Sequence, residues 1–349
     1  MKRLPNIIIC VVILALGAIS FASAFEETHL DRLKQGVDSW NYWRKATNNT
    51  YVDLSHAVLT NMDFWRIELS NVDFSYAALA GTKIRYSSLI KSRMIEANLQ
   101  ECDFEGSSLA QSDFRRAQLG RTVFNGTRLQ KSDFMQADLS GARIEKADLK
   151  ESDLQFSVMS NTSFAGSDLT LAKLMGAKAN SGSFENAKML SAEVNFVQFT
   201  NVNLRYADLS QADLGGSEFN SCDLRYSKLH SANLTQVRFT NSKMPDANAS
   251  ECQAAYAVFA NCDLMGANFE QCNFNQTSFK GSDLTRANFS RCNLRFANLE
   301  GVLLRDTNFS DTDLSGARID LHWKGYLSQQ RITGLITVHW TTPDENKKD

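Results

Sequence analysis

Six cysteines, Cys102, Cys222, Cys252, Cys262, Cys272 and Cys292, are separated from one another by multiples of ten residues, and a seventh, Cys10, stands in an apolar N-terminal run. Thiols at regular spacing offer metal ligation, disulfide formation or nothing beyond packing, depending on whether the chain makes them converge. Three carboxylates, Asp113, Asp133 and Asp153, repeat every twenty residues, with Arg93 and Lys173 one step further out on either side. Stacked in a line, they would repel unless backbone N–H groups or a cation held them. The five histidines (His29, His56, His230, His322, His339) show no metal-ligand spacing, and no Ser/His/Asp set or glycine-rich phosphate loop stands out. What these residues do depends on the element that brings positions ten and twenty apart together.

That element is written in a period of five. Between residues 54 and 319 every residue numbered with a final 4 or 9 is apolar: of 54 positions, 26 are Leu, 17 Phe, 4 Met, 3 Ile, 1 Val and 3 Ala. Two residues earlier the chain carries Ala, Ser, Thr, Cys, Val or Gly everywhere except Met62 and Ile67. Neither a helix nor an ordinary strand has this period, and a fixed repeat defines the architecture before any local reading.

The segments "ADLSG" (137–141), "SDLTR" (282–286) and "ANFSR" (287–291) resemble the pentapeptide-repeat family, and the match covers about three quarters of the chain. The resemblance implies an all-β fold: a right-handed quadrilateral β-helix with four pentapeptides per coil, the large and the small residue pointing inward and three residues outward. A narrow square tube holds one large side chain per face only if the second inward residue stays small. Coils about 4.8 Å apart make a rod on the order of 65 Å long. Gly often follows the central residue by two positions (Gly81, Gly106, Gly126, Gly141), as a type II corner requires; where Tyr or Phe occupies that slot, another turn type is expected. Ala179, Ala249 and Ala254 underfill the core, and Pro245 is expected to remove a ladder donor.

With residues twenty apart stacked, all six repeat cysteines fall in the small inward slot. Cys252, Cys272 and Cys292 share one column, whose spacing permits a disulfide between neighbours; Cys222 and Cys262 are two coils apart, too far to bond. Packing as small buried hydrophobes is the leading reading, with one bond, Cys252–Cys272 or Cys272–Cys292, as its alternative. The Asp column reads as turn-bonded, and Asn248, Asn268, Asn288 and Asn308 as an amide ladder. No cofactor and no metal site is expected.

Outside the repeat, residues 25–51 carry Leu30, Leu33, Val37, Trp40 and Trp43 at helical spacing, a helix to cap the first coil. Residues 52–321 form the β-helix, and residues 322–349 a C-terminal cap of short helix and strand followed by a tail. Lys2 and Arg3 before an apolar run, closed by Ala22-Ser23-Ala24, read as a signal peptide over residues 1–24, with the mature chain beginning at Phe25. An uncleaved membrane anchor is the alternative.

One outward line carries Tyr76, Ile95, Met135, Phe156, Met175, Phe196, Tyr256 and Phe296, an aligned apolar stripe of the kind used for contacts. The expected function is a non-catalytic exported rod, periplasmic or secreted, binding a protein partner or an envelope component. In some family members the C-terminal cap is also a dimer contact. A formal charge of −2 argues against nucleic acid as partner. Two alternatives are a DNA-mimicking topoisomerase-binding protein, which the resemblance raises and export disfavours, and a cation-dependent or carbohydrate-active β-helix using the Asp column.

Overall fold

Residues twenty apart pair in parallel along the rod, as in Asp113 with Asp133 and Asp133 with Asp153, so five residues per side and four sides per coil are the geometry as well as the sequence period. The computed structural model describes residues 27–48 and 50–342; the export signal read at residues 1–24 lies outside them. The chain builds a parallel β-solenoid of about 14 turns. Most sides pair through a single bridging residue and some through strands of two or three, and the longest continuous sheet stacks Lys178–Asn180, Gln198–Thr200, Glu218–Asn220, Arg238–Thr240 and Val258–Ala260. Coils are joined in both directions: Asn98 N–H donates back to Ala77 O (3.0 Å) and Leu99 N–H forward to Gln118 O (2.8 Å).

The inward positions of the repeat are buried as the period requires, except Met62 beside the N-terminal cap, which is only partly buried. Leu99, Leu109, Leu129 and Leu149 have no exposed surface. Phenylalanines stack upon one another inside: Phe114 on Phe134 at 4.6 Å, and Phe219, Phe239, Phe259 and Phe279 in one ladder at 4.7–5.1 Å. Ser and Thr fit the small slot because their hydroxyls find partners. Ser112 Oγ donates to Leu89 O (2.8 Å) and Thr122 Oγ1 to Leu99 O (2.9 Å), both carbonyls of the preceding coil.

The corners differ from expectation. Tyr76, Phe156, Tyr206, Tyr226, Tyr256 and Phe296 all hold φ of 57–62°, the left-handed region that glycine occupies in neighbouring coils. Each of these corners closes with the same tight-turn bond, for example Ala77 N–H to Phe74 O at 3.0 Å and Ala297 N–H to Leu294 O at 3.1 Å. Stacking fixes the turn, and the aromatic residue adopts it despite a cost of about 1–2 kcal/mol. Pro245 also departs from expectation. It occupies the second position of a tight turn that Asp246 completes with φ 54°, where proline is favoured. In comparable corners that position's N–H bonds only the side chain two residues back, as Met135 N–H does to Asp133 Oδ1, so no ladder bond is lost. Pro245 O accepts from Tyr226 N–H at 3.1 Å.

Both ends are closed. Where the sequence predicted one N-terminal helix there are two, α1 (Glu27–Lys34) and α2 (Val37–Ala46), broken at Gly36 with φ 106°. The carbonyls at the open edge of the first coils are met by α2: Arg44, fully buried, donates to Thr50 O and Ser70 O, Trp40 Nε1 to Glu68 O (2.6 Å) and Asn41 Nδ2 to Arg66 O (2.9 Å). At the far end a 3-10 turn (Leu321–Trp323) leads into α3 (Lys324–Leu327), as the sequence predicted. Tyr326 donates to Thr307 O (2.7 Å) and Trp323 Nε1 to Val302 O (3.2 Å). The strand His339–Thr341 then pairs with Arg318–Asp320 at the outer edge of the last sheet.

Candidate interaction surface

The square cross-section divides the predicted stripe into two neighbouring columns. Tyr76, Phe156, Phe196, Tyr256 and Phe296 stand at one corner line, 49–62% exposed, while Ile95, Met135 and Met175 belong to the column one residue earlier and are half-buried. Between the aromatic residues the corner line carries Glu96, Arg116, Gln136, Gln236 and Gln276, so the apolar surface is interrupted.

Three of the five rings share one kind of seat. The Phe156 ring lies over Gly176 of the next coil so closely that a Cβ on that glycine would sit 2.6 Å from ring carbons; Phe196 over Gly216 and Phe296 over Gly316 repeat the arrangement at the same distance. Tyr86, on the diagonally opposite corner, covers Gly106 in the same way. One side of each of these four rings is spent on backbone that glycine leaves bare; all four stay about half exposed, Tyr86 with Trp65 packed 4.6 Å from it. Tyr76 instead stacks on His56 at 5.1 Å, and Arg295 sits 5.7 Å from the centre of the Phe296 ring. The pairing escapes a reading by fives, because its signal is an aromatic residue followed twenty positions later by Gly: 86 and 106, 156 and 176, 196 and 216, 296 and 316.

The line of corners ends at an open groove beside Phe296, lined by Gly316, Arg318, Val338, His339 and Trp340. Here the last strand of the C-terminal cap leaves an unpaired edge.

Two models of this repeat match the chain: the pentapeptide repeat region at residues 97–174 and 255–322, and the model of pentapeptide repeats in eight copies at residues 50–85, 203–241 and 232–271. The chain belongs to the pentapeptide-repeat family. Among solved structures it is similar to HetL, a pentapeptide-repeat protein involved in heterocyst differentiation regulation from the cyanobacterium Nostoc sp. strain PCC 7120 (22% identity, 79% of this chain and 94% of that one, TM-score 0.32). It is also similar to QnrB1, a plasmid-mediated fluoroquinolone resistance protein (18% identity, 54% and 92%, TM-score 0.37), and to a pentapeptide-repeat protein of the Arabidopsis thaliana thylakoid lumen (19% identity, 36% and 77%, TM-score 0.23). No curated protein matches it.

The outward polar columns of this pentapeptide-repeat rod are tied to its own backbone. Asp113, Asp133 and Asp153 each accept from the N–H two residues on, at 3.1, 2.9 and 3.0 Å, as the sequence predicted. Arg115 relieves the column at one end, bonding Asp113 through two nitrogens (2.9 and 2.6 Å) and reaching Asp133 at 3.5 Å. Burial, then the charges of Asp113 and Asp153, hold the Asp133 carboxyl above its ordinary range. Among the described residues no group of three or more His, Cys, Asp or Glu is placed to hold a metal ion. The amide ladder of Asn248, Asn268, Asn288 and Asn308 is present, each Nδ2 donating to the Oδ1 of the coil before at 3.2, 3.0 and 2.9 Å.

The six repeat cysteines all lie inside. Burial pushes the Cys102 and Cys222 thiols up to about 12 and Cys262 to about 11, so none of the three offers a thiolate near neutral pH.

Proposed function

We propose that the chain is an exported, non-catalytic rod that holds a protein partner or an envelope component against its corner line and C-terminal cap. The observation that carries the reading is the line of half-exposed aromatic corners, three of which, Phe156, Phe196 and Phe296, are seated on a glycine of the next coil. Rings held in this way lose little freedom on binding, which favours a contact surface. The filled core supports binding over turnover, since it leaves the interior no room for a substrate. Ion pairs between coils, such as Lys150 with Asp168 at 3.3 Å and Arg85 with Asp63 at 3.6 Å, neutralise the outer columns locally and support a protein partner over a nucleic-acid mimic. Export rests on the signal read at residues 1–24, with cleavage after Ala24. The edge strand His339–Thr341 makes self-association through the cap the natural form of a homodimer.

The test uses two pairs of substitutions of equal kind on opposite corners, Phe156→Ser with Phe196→Ser and Tyr206→Ser with Tyr226→Ser. Cross-linking in envelope fractions of the producing cell should lose its adducts with the first pair and keep them with the second, both variants retaining the β circular dichroism of the parent. Equal adducts in both variants would remove the corner line from the proposal. N-terminal sequencing of the exported chain checks the cleavage at Ala24, and an intact Met1 in the membrane fraction would replace export with anchoring.

A further inference from the structure

We propose that Cys252 and Cys272 are joined by a disulfide that staples two successive coils of the rod. Their sulfurs lie 2.6 Å apart in the buried small-residue column. Lower in that same column two serines meet at the same coil spacing, Ser92 Oγ and Ser112 Oγ, and stand 3.1 Å apart. Sulfur is the larger atom, yet its contact is the shorter one: the two thiols, unbonded in the structure, are pressed closer together than thiols ordinarily pack. The backbone is already in place for it: Asn273 N–H donates to Cys252 O at 3.0 Å, and Cys252 N–H points to the Cys272 sulfur at 3.1 Å. Cys272 also reaches a carbonyl of the preceding coil, Ala249 O at 2.8 Å, as Cys102 does Leu79 O at 3.0 Å and Cys292 does Phe269 O at 2.9 Å; what sets Cys252 and Cys272 apart is the contact between their sulfurs.

The position has a physical reason. Two of the three central alanines of the repeat, Ala249 and Ala254, flank Cys252, so the coil carrying it has the least apolar volume to hold it against its neighbours. A covalent link of one coil length replaces the cohesion that a Leu or Phe supplies elsewhere.

Formation requires an oxidant, and the class that fits is a small-molecule or protein disulfide acting by thiol–disulfide exchange. One cysteine, as thiolate, attacks a sulfur of the oxidant and expels the first thiol; the second cysteine attacks the mixed disulfide and expels the other. Two cysteine thiols and one disulfide thus give the Cys252–Cys272 bond and two released thiols. In the folded rod the two residues are 0% and 2% exposed, so the exchange takes place before the coils close. The inference does not depend on the binding surface, and its test does not depend on export.

The full chain is refolded in a buffer of reduced and oxidised glutathione, denatured without reductant, alkylated with iodoacetamide and cleaved after glutamate. Cleavage at Glu251, Glu270 and Glu300 places Cys252 and Cys272 on different peptides. The expected result is one linked pair of peptides that reduction separates, with Cys252 and Cys272 unalkylated and Cys102, Cys222, Cys262 and Cys292 alkylated. Alkylation of Cys252 and Cys272 alongside the others overturns the proposal, as does a Cys272–Cys292 link. Reductant should lower the denaturant midpoint of the parent and leave that of Cys252→Ser/Cys272→Ser unchanged. The peptide map on the parent decides the matter even if that variant fails to fold.

Discussion

A single side chain in this rod is judged by the residue twenty positions later. Gly216 has φ +68°, and a Cβ there would meet the Phe196 ring at 2.6 Å. Gly216→Ala therefore carries the left-handed backbone cost of about 1–2 kcal/mol plus displacement of the ring. In a Phe196→Ala background only the first term remains, so a double-mutant cycle read by urea midpoint should give a coupling of about 0.5 kcal/mol or more; strict additivity would mean that the ring does not seat on the glycine. Asp133 gives a second prediction at this scale. Its carboxyl is raised in the folded rod by burial and by Asp113 and Asp153, so its ionisation opposes folding, and the stability it allows at low pH is lost as pH rises through the folded value. Asp133→Asn keeps the Oδ1 acceptor for Met135 N–H and should raise the melting temperature at pH 7, the gain closing below the carboxylate range. Asp223 is its opposite. Burial pushes that carboxyl up, but the hydrogen bonds and charge of Arg225 outweigh it and hold it below its ordinary value, so Asp223 contributes stability that is lost as pH falls through the folded value. A gain for Asp133→Asn that persists unchanged at acid pH would contradict this assignment.

At the scale of the element, the ends and the weak side decide behaviour. Arg44 closes the N-terminal edge by donating to Thr50 O and Ser70 O from full burial. Arg44→Leu orphans the buried Ser70 carbonyl, at about 1–3 kcal/mol, and leaves that of the exposed Thr50 to solvent, and hydrogen exchange should accelerate in the first coils while those near Phe239 are unaffected; unchanged protection in the first coils would show that α2 is not what seals the edge. Within the rod, the side from Lys178 to Gly182 carries Ala179 and Gly182 in its inward slots and should exchange fastest. These elements were legible in the sequence to different depths. The period of five gave the inward positions, because a tube one residue wide per side admits no polar central residue. The corners were not legible from residue type. Glycine preference is a local property, but the left-handed turn at Tyr76 or Phe156 is imposed by the coils above and below. The ring seats on Gly176 and Gly216 were missed for a related reason: they depend on a contact twenty residues away, visible only once the coil length is known. Gly36, splitting the N-terminal cap into two helices, was present in the sequence and was outweighed by the spacing of Leu33, Val37 and Trp40.

The whole molecule is one column of nearest-neighbour contacts, and this sets how damage spreads. In a globular core a buried leucine touches elements from across the sequence, so its loss weakens the entire domain. Here Leu149 is fully buried, but the parallel bridges around it run only to the coils immediately before and after, such as Asp148 with Arg128 and with Asp168. Stability in such a stack is the sum of coil and interface contributions, and sub-global opening follows the weakest interface. Leu149→Ala should cost about 2–5 kcal/mol, felt by the coils adjoining it. Hydrogen exchange should quicken from about residue 129 to the side at Ala179, whose small inward residues are where cooperativity breaks most readily, while the Phe219, Phe239, Phe259 and Phe279 ladder beyond it keeps its protection. Equal loss of protection in that ladder would show instead that the rod opens as a single unit. Local opening also bears on the proposed function: a partner bound along several corners bridges interfaces that otherwise open separately, so binding should slow exchange most at the weakest of the coils it spans.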